Sequence, residues 1–373
     1  MHLRGFRQAK YLAILGNDVT VHYNRTTMGV EETHNYGSLA FEKVNGRTGL
    51  RRLRSLDYAL SCVVDSSGGG RPDAVVISND PSQISSAFIL LNQTARRMPS
   101  FVDMTEHVTE SRRFVHDISY EWGSNVFWEG VLLKLSRKNF VQSQERIAML
   151  PPGNKAKSIL IPNAADLELY APTRGLEAQA KETRDNIGSD FVAIYLGRLD
   201  HSYGGTHGLI LDTVATLAER FSPKEFKLLL VGDDSFELRS AIREKGLQDH
   251  IMTIAEVPND RIPPLVLSSD IGLAPYPENS LTDLALGNKL FEYWSASKPV
   301  LVTRVRAMAR LVISGGAGFV ASGSASFAQV LTQCMADPEG TRNAGLRGRE
   351  LVEKQYNWLE NAKLMEAEFE KAQ

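Results

Sequence analysis

Strand-length apolar runs alternate along this chain with longer stretches whose apolar residues recur every three or four positions. In the second half the runs VAIYLG (192–197), KLLLVG (227–232), IMTIAE (251–256), IGLAPY (271–276), PVLVT (299–303) and GFVA (318–321) predict strands. They are apolar on both faces, as strands covered by helices on each side must be. Between them, 209–221 and 236–246 have helical periodicity, and Gly246 stands where a helix C-terminus favours glycine. The first half predicts strands at 18–22, 73–78, 100–103, 139–142 and 157–161, with helices at 5–15, 48–63, 82–96, 123–137 and 143–149. Strand–helix alternation with short connections means parallel, doubly wound sheets.

The segment 163–190 breaks the pattern. It is polar, carries Pro172 and Gly175, and predicts an interdomain connection followed by a surface helix, EAQAKETRDNI. A chain of 373 residues is about twice an ordinary domain, so the division falls naturally here. The expected architecture is α/β: two Rossmann-like domains, residues 1–165 and 166–356, with a C-terminal helix at 357–373 packing back on the first. Ligands of such sheets bind outside the carboxyl ends of the strands, which makes a cleft between the domains the expected site.

Composition narrows the function. Forty-two basic and 44 acidic residues give a net charge of −2, without the basic excess that nucleic acid attracts. Two cysteines, Cys62 and Cys334, make neither a disulfide framework nor a zinc site. No apolar run reaches the roughly 18–20 residues of a membrane span, and MHLRGFRQAK leads into no signal-type segment. The expected location is cytoplasmic, with peripheral contact at the inner face of a membrane as the alternative.

Three segments carry a family resemblance. SILIPNAADLELYAP (158–172) is similar to the "IPNGVD…F.P" segment that closes the N-terminal domain of family-four glycosyltransferases. AIYLGRLD (193–200) resembles that family's "VGRL" entry to the C-terminal domain, and GNKLFEYWSASKPVLVT (287–303) resembles its donor helix, "PNKLFEYMAAGKPVV". RQAKYLAILGNDVTVHY near the start also resembles "REAKALAERGHEVTVV". The four occur in the family's order across nearly the whole chain. The resemblance implies a GT-B fold and transfer of a sugar, with retained anomeric configuration, from a UDP- or GDP-linked donor to a saccharide, lipid-linked or small-molecule acceptor in glycan or polysaccharide biosynthesis. It implies no cofactor and no metal.

The residues themselves fit such a donor. Glu292 follows Lys289 by three positions in a helix-forming stretch, so the two share a face near its start. A carboxylate can accept both ribose hydroxyls while a cation and helix N-terminal amides hold a pyrophosphate. The same spacing also describes an ordinary exposed Lys–Glu pair. Asn288 and Leu290 flank Lys289 in the donor helix. Arg198 follows a buried-type strand that ends in Gly197, where it can clamp the leaving pyrophosphate or simply pair with Asp200. Gly204 and Gly205 add candidate backbone donors, and the loop 256–261 with Val257 lies where the base would sit.

Two positions depart from the family pattern. Tyr203 stands where the family places a lysine after Arg198, and Leu284 stands where it places the first of two carboxylates; Asp283 and Glu278 are close but out of register. In VDMTEHVTE (102–110), Asp103, Glu106 and His107 are candidates for contacts with donor or acceptor hydroxyls, and the same residues equally suit a helix capping box. Asp80 and Ser82 have the same two readings. Asp233-Asp234 at a strand end suits a cap better than a metal. The aromatic stretch 118–135 suits core packing better than an acceptor-side or membrane flap. These departures keep a rival in play: a non-catalytic GT-B protein that binds a nucleotide or glycan and scaffolds a partner. The family also begins with an apolar strand ahead of the helix matched by 5–15, so the sequence predicts an N-terminally shortened first domain.

Overall fold

The computed structural model describes residues 3–23, 39–43, 73–78, 83–104, 120–197, 199, 206–280 and 282–372. The chain forms two compact units, residues 1–162 with 358–373, and residues 163–357.

In the first unit α1 (Leu3–Ile14) leads into β1 (Val19–Tyr23), which pairs in parallel with β2 (Leu39–Lys43). A four-stranded parallel sheet follows, built from β3 (Val75–Ser78), β4 (Ser100–Met104), β5 (Lys138–Val141) and β6 (Ser158–Leu160) in that spatial order. Its crossovers contain α2 (Gln83–Ala95), α3 (Tyr120–Leu135), α4 (Gln144–Met149) and α5 (Pro152–Lys155). Leu90, Val102, Met104, Leu132 and Val141 fill one face of this sheet. On the other, the rings of Phe101 and Phe140 stack at 5.5 Å, and Phe369 of the last helix meets both edge-on. The strand β2 (LAFEK) is an addition to the elements expected from sequence. The helix expected at 48–63 lies outside the described residues.

The second unit opens with a short 3₁₀ turn at Leu167–Tyr170 and α6 (Arg174–Ile187). That helix starts three residues before the expected one because Thr173 caps it, its Oγ1 accepting from the Leu176 N–H at 3.1 Å. Gly188 ends it in the left-handed conformation. The rest is a regular alternation: β7 (Phe191–Leu196), α7 (Thr206–Ala218), β8 (Phe226–Val231), α8 (Phe236–Glu244), β9 (Ile251–Ile254), α9 (Ile262–Leu267), β10 (Ile271–Ala274), α10 (Asn288–Ser295), β11 (Val300–Val302), α11 (Arg306–Gly315), β12 (Gly318–Val320), α12 (Gly323–Ala336) and α13 (Pro338–Lys354). The final helix, α14 (Trp358–Glu370), returns to the first unit and packs on α1.

The six strands are all parallel, in the order β12-β11-β10-β7-β8-β9. Each face has its own core. Val192, Ile194 and Leu196 of β7 belong to one, and Phe191, Ala193 and Tyr195 to the other. The chain winds outward from β7 through β9 and then crosses back to β10 on the far side of β7. The reversal puts the topological switch point, and the crevice that goes with it, between β7 and β10. Among the described residues no helix is long and apolar enough to cross a membrane.

Candidate functional site

The switch point is where α10 is nailed to the sheet. Leu290, Phe291, Tyr293 and Trp294 are fully buried. The Tyr293 hydroxyl accepts from the Leu196 N–H at 3.0 Å and donates to the Leu273 carbonyl at 3.1 Å, bridging β7 and β10. Burial holds this phenol well above its ordinary pKa, so the proton it donates is kept. Gly272 makes the bridge possible, because a Cβ there would lie 2.2 Å from the Tyr293 ring. Trp294 adds a second anchor through its indole N–H, which donates to the Ala317 carbonyl at 2.8 Å.

With its apolar face fixed, α10 presents Asn288, Lys289 and Glu292 at and just inside its N-terminus. The Lys289 side chain is half-buried, with its ammonium end enclosed. The ammonium lies 4.0 Å from the centre of the Tyr195 ring and 5.2 Å from that of Tyr276. It also lies 3.5 Å from where a Cβ of Gly197 would stand. Desolvation pulls its pKa down to about 7, partly offset by the Glu292 carboxylate. Asn288 Oδ1 is buried without a hydrogen-bond partner among the described residues. The N-cap, Gly287, offers no side-chain acceptor to the first-turn amides.

Gly197, at the end of β7, has φ +118°, and Gly232, at the end of β8, has φ +107°. A Cβ on Gly232 would come within 3.2 Å of the Gly197 backbone, so the two turns pack glycine against glycine. The next carboxylates serve these turns. Asp233 accepts from the Leu199 N–H and the Ser235 N–H, each at 3.0 Å. Asp234 accepts from Thr253 Oγ1 at 2.6 Å and pairs with Arg239 at 2.8 Å. Val257, in the loop after β9, packs half-buried against the core. Arg198, Gly204 and Gly205 lie outside the described residues.

The loop 277–287 is tied down at both ends. Thr303 Oγ1 donates to the Tyr276 carbonyl at 2.6 Å, and Asn163 Nδ2 donates to the Leu286 carbonyl at 2.6 Å. Asn163 belongs to the IPNAAD segment. Leu284 is fully buried, and the Asp283 carboxylate accepts from the Arg306 backbone N–H at 3.3 Å. Glu278 is exposed. Position 284 therefore turns an apolar side chain inward, and the neighbouring Asp283 serves the start of α11.

In the first unit, Asp103 is engaged within the protein. It is fully buried in an ion pair with Arg4, with Nη2 to Oδ1 at 2.7 Å and Nε within 3.0 Å of both carboxylate oxygens. Glu106, His107, Asp80 and Ser82 lie outside the described residues. In α3, Leu132 and Leu133 are buried, whereas Phe127 is 62% exposed beside Trp128. Sequence reasoning missed Tyr195 and Tyr276 as neighbours of Lys289. Tyr195 reads as one more strand residue, and only its position two before Gly197 hints at the strand's ligand end.

Several known proteins resemble this chain in fold or in sequence. Residues 190–337 match the family model described as Glycosyl transferases group 1. The whole chain superposes on sucrose-phosphate synthase from Thermosynechococcus elongatus, with TM-score 0.73 and 17% identity over 99% of this chain and 92% of that one. Anabaena HepE in complex with UDP-glucose gives TM-score 0.76 at 17% identity, covering 98% and 95%. The fold is GT-B. A Rickettsia africae glycosyltransferase gives TM-score 0.76 at 17% identity, covering 99% and 94%. By sequence, 108 residues are 31% identical to 2-deoxystreptamine glucosyltransferase from Streptomyces kanamyceticus. That alignment spans 28% of this chain and 26% of the relative, about a quarter of its length.

Proposed function

We propose that this GT-B protein is a retaining glycosyltransferase that moves a sugar from a nucleotide diphosphate sugar to an acceptor hydroxyl, in glycan or polysaccharide biosynthesis. The observation that carries the reading is the enclosed Lys289 ammonium at the β7–β10 switch point, beside the Gly197 turn and at the start of α10. A pyrophosphate placed there meets a cation and the positive end of a helix dipole. Glu292 accepts the ribose hydroxyls, and backbone at Gly197, Asn288 and Leu290 lies close to the phosphates. The family resemblance adds Arg198, Gly204 and Gly205, which lie outside the described residues, as further donors to the phosphates, and Val257 as a neighbour of the base. Lys289 and Arg198 then stabilise the charge that develops on the leaving nucleoside diphosphate. The matched glycosyl transferases group 1 model and the UDP-glucose held by Anabaena HepE support a UDP-linked donor, with GDP the alternative.

Two cations and a helix N-terminus can neutralise the departing pyrophosphate, so transfer needs no bridging metal. The nearby Asp233 and Asp234 carboxylates are already engaged in turn, side-chain and ion-pair contacts. Incubation with a panel of UDP- and GDP-sugars, with and without EDTA, tests the reading: slow release of free nucleoside diphosphate, unaffected by chelation, is expected. A second reading rests on Leu284, which is buried where the resembling family has a carboxylate near the donor sugar. On that reading the protein binds the nucleotide or glycan and scaffolds a partner, and the panel would give binding without turnover.

A further inference from the structure

Lys289 is held by more than its own helix. Tyr195 comes from β7 and Tyr276 from the segment after β10, so the two rings approach the ammonium from the two strands that flank the switch point. At 4.0 and 5.2 Å from the ring centres, the ammonium is within cation–π range of both. Tyr195 is 5% exposed and Tyr276 half-buried, which fixes both rings against the unit.

The room for Tyr276 is made by glycine. A Cβ on Gly287 would stand 2.3 Å from the Tyr276 hydroxyl and 3.0 Å from its Cζ. Gly287 has φ −67°, a conformation open to any residue, so its value there is the space it leaves. Gly287, Tyr276 and Lys289 therefore form one packed constellation at the start of α10.

We propose that Tyr195 and Tyr276 are positioning residues, two rings that bracket the Lys289 ammonium and hold it beside the Gly197 turn for the pyrophosphate of a nucleotide sugar. The proposal rests on the donor-site reading above for its ligand, but the bracket itself is a property of the free protein. A four-carbon lysine stem has rotamer freedom that must be lost when it meets a phosphate. Rings that hold it beforehand remove that loss from the binding step. They also keep water from the ammonium. The ionisable groups near it among the described residues include Tyr195 from β7, Tyr276 from the loop after β10, and Glu292 from its own helix.

The test needs no ligand in its first arm. An amine-directed acylating reagent applied to the free protein from pH 6 to 10, followed by peptide mass spectrometry, gives the titration midpoint of Lys289. Tyr276→Leu lets water reach the ammonium and is expected to move that midpoint up by about one pH unit or more. Tyr276→Phe keeps the ring and leaves the midpoint in place. Gly287→Ala displaces the ring by contact with its hydroxyl end while leaving Tyr276 and Lys289 themselves unsubstituted, and follows Tyr276→Leu, and Tyr195→Leu does the same where the strand tolerates it. In the second arm, UDP-glucose affinity falls by about 3- to 30-fold in the leucine and alanine variants and not in the phenylalanine variant. A midpoint unchanged in Tyr276→Leu and Gly287→Ala overturns the bracket. A wild-type protein that binds no nucleotide overturns the donor-site reading instead, and the first arm still decides the bracket.

Discussion

Arg4 and Asp103, ninety-nine positions apart, form an ion pair in which neither side chain has any exposed surface. The Arg4 guanidinium also donates to the Ile161 carbonyl at 2.7 Å and lies 5.6 Å from the centre of the Trp358 ring. One side chain thus ties α1 to β4, to the end of β6 and to the final helix. Removing one partner leaves the other charge buried and alone. Asp103→Asn is expected to destabilise the first unit by about 3–5 kcal/mol, read from its urea unfolding transition. Were Asp103 a ligand contact, the same change would lower donor affinity at unaltered stability.

Glu292→Ala is expected to weaken nucleotide binding about tenfold to a hundredfold, the effect of about 1.5–3 kcal/mol from a charged acceptor of two hydroxyls. Calorimetric titration with UDP and GDP measures it. An unaltered dissociation constant takes Glu292 out of the site.

Lys289→Met is expected to do two opposite things. It removes the cation proposed to meet the pyrophosphate, so nucleotide affinity should fall. It also removes a charge from an enclosed site. The folded state depresses the lysine pKa from 10.5 to about 7, so the stability tied to its neutral form is present above 10.5 and lost as pH falls toward 7. At pH 7 the variant should therefore be more stable than the wild type, by about 1–2 kcal/mol after allowing for the half-buried side chain. The gain should disappear near pH 10.5. Urea midpoints at the two pH values decide it.

The same titration governs ligand binding. A pyrophosphate prefers the protonated lysine, so UDP-glucose should bind most tightly below about pH 7. Its affinity should then fall, by up to about tenfold per unit, as pH rises above that value. Near pH 8, binding should draw about one proton from solution. Calorimetry in buffers of different ionisation enthalpy counts that proton, and a flat profile from pH 6 to 9 would rule Lys289 out as the phosphate partner.

Gly272→Ala should cost the second unit more than most single substitutions. Its Cβ would meet the Tyr293 ring at 2.2 Å, and the ring cannot retreat without breaking the hydroxyl bridge between β7 and β10. A loss of about 1–3 kcal/mol is expected in chemical denaturation. Nucleotide binding should weaken with it, because α10 loses its anchor.

Most of the strands could be read from the sequence, because two-sided burial leaves unbroken apolar runs such as LLLV and IGLA. The short β2 escaped: LAFEK is only three apolar residues followed by two charged ones, and its pairing with β1 is not written in local spacing. Around the site, the Lys289–Glu292 spacing on α10 was legible from helical periodicity. Tyr195, Tyr276 and Gly287 were not, because what relates them is packing in three dimensions rather than spacing along the chain. Asp103 shows another limit of spacing along the chain. A carboxylate at a strand end looks like chemistry until its partner, Arg4, arrives from the far end of the unit.

The last helix has a consequence for how the molecule is made. Residues 358–373 complete the first unit: Asn361 bonds to the Pro162 carbonyl, Asn17 to Glu366, and Phe369 lies against Phe101 and Phe140. The second unit is a single uninterrupted stretch between these two parts. During translation, therefore, the half synthesised first cannot finish folding until residues 358–373 leave the ribosome, while the half synthesised second has its whole sequence available earlier. The nascent first unit must wait, with the aromatic surface around Phe101 and Phe140 uncovered, for a helix encoded nearly two hundred codons downstream of the rest of it.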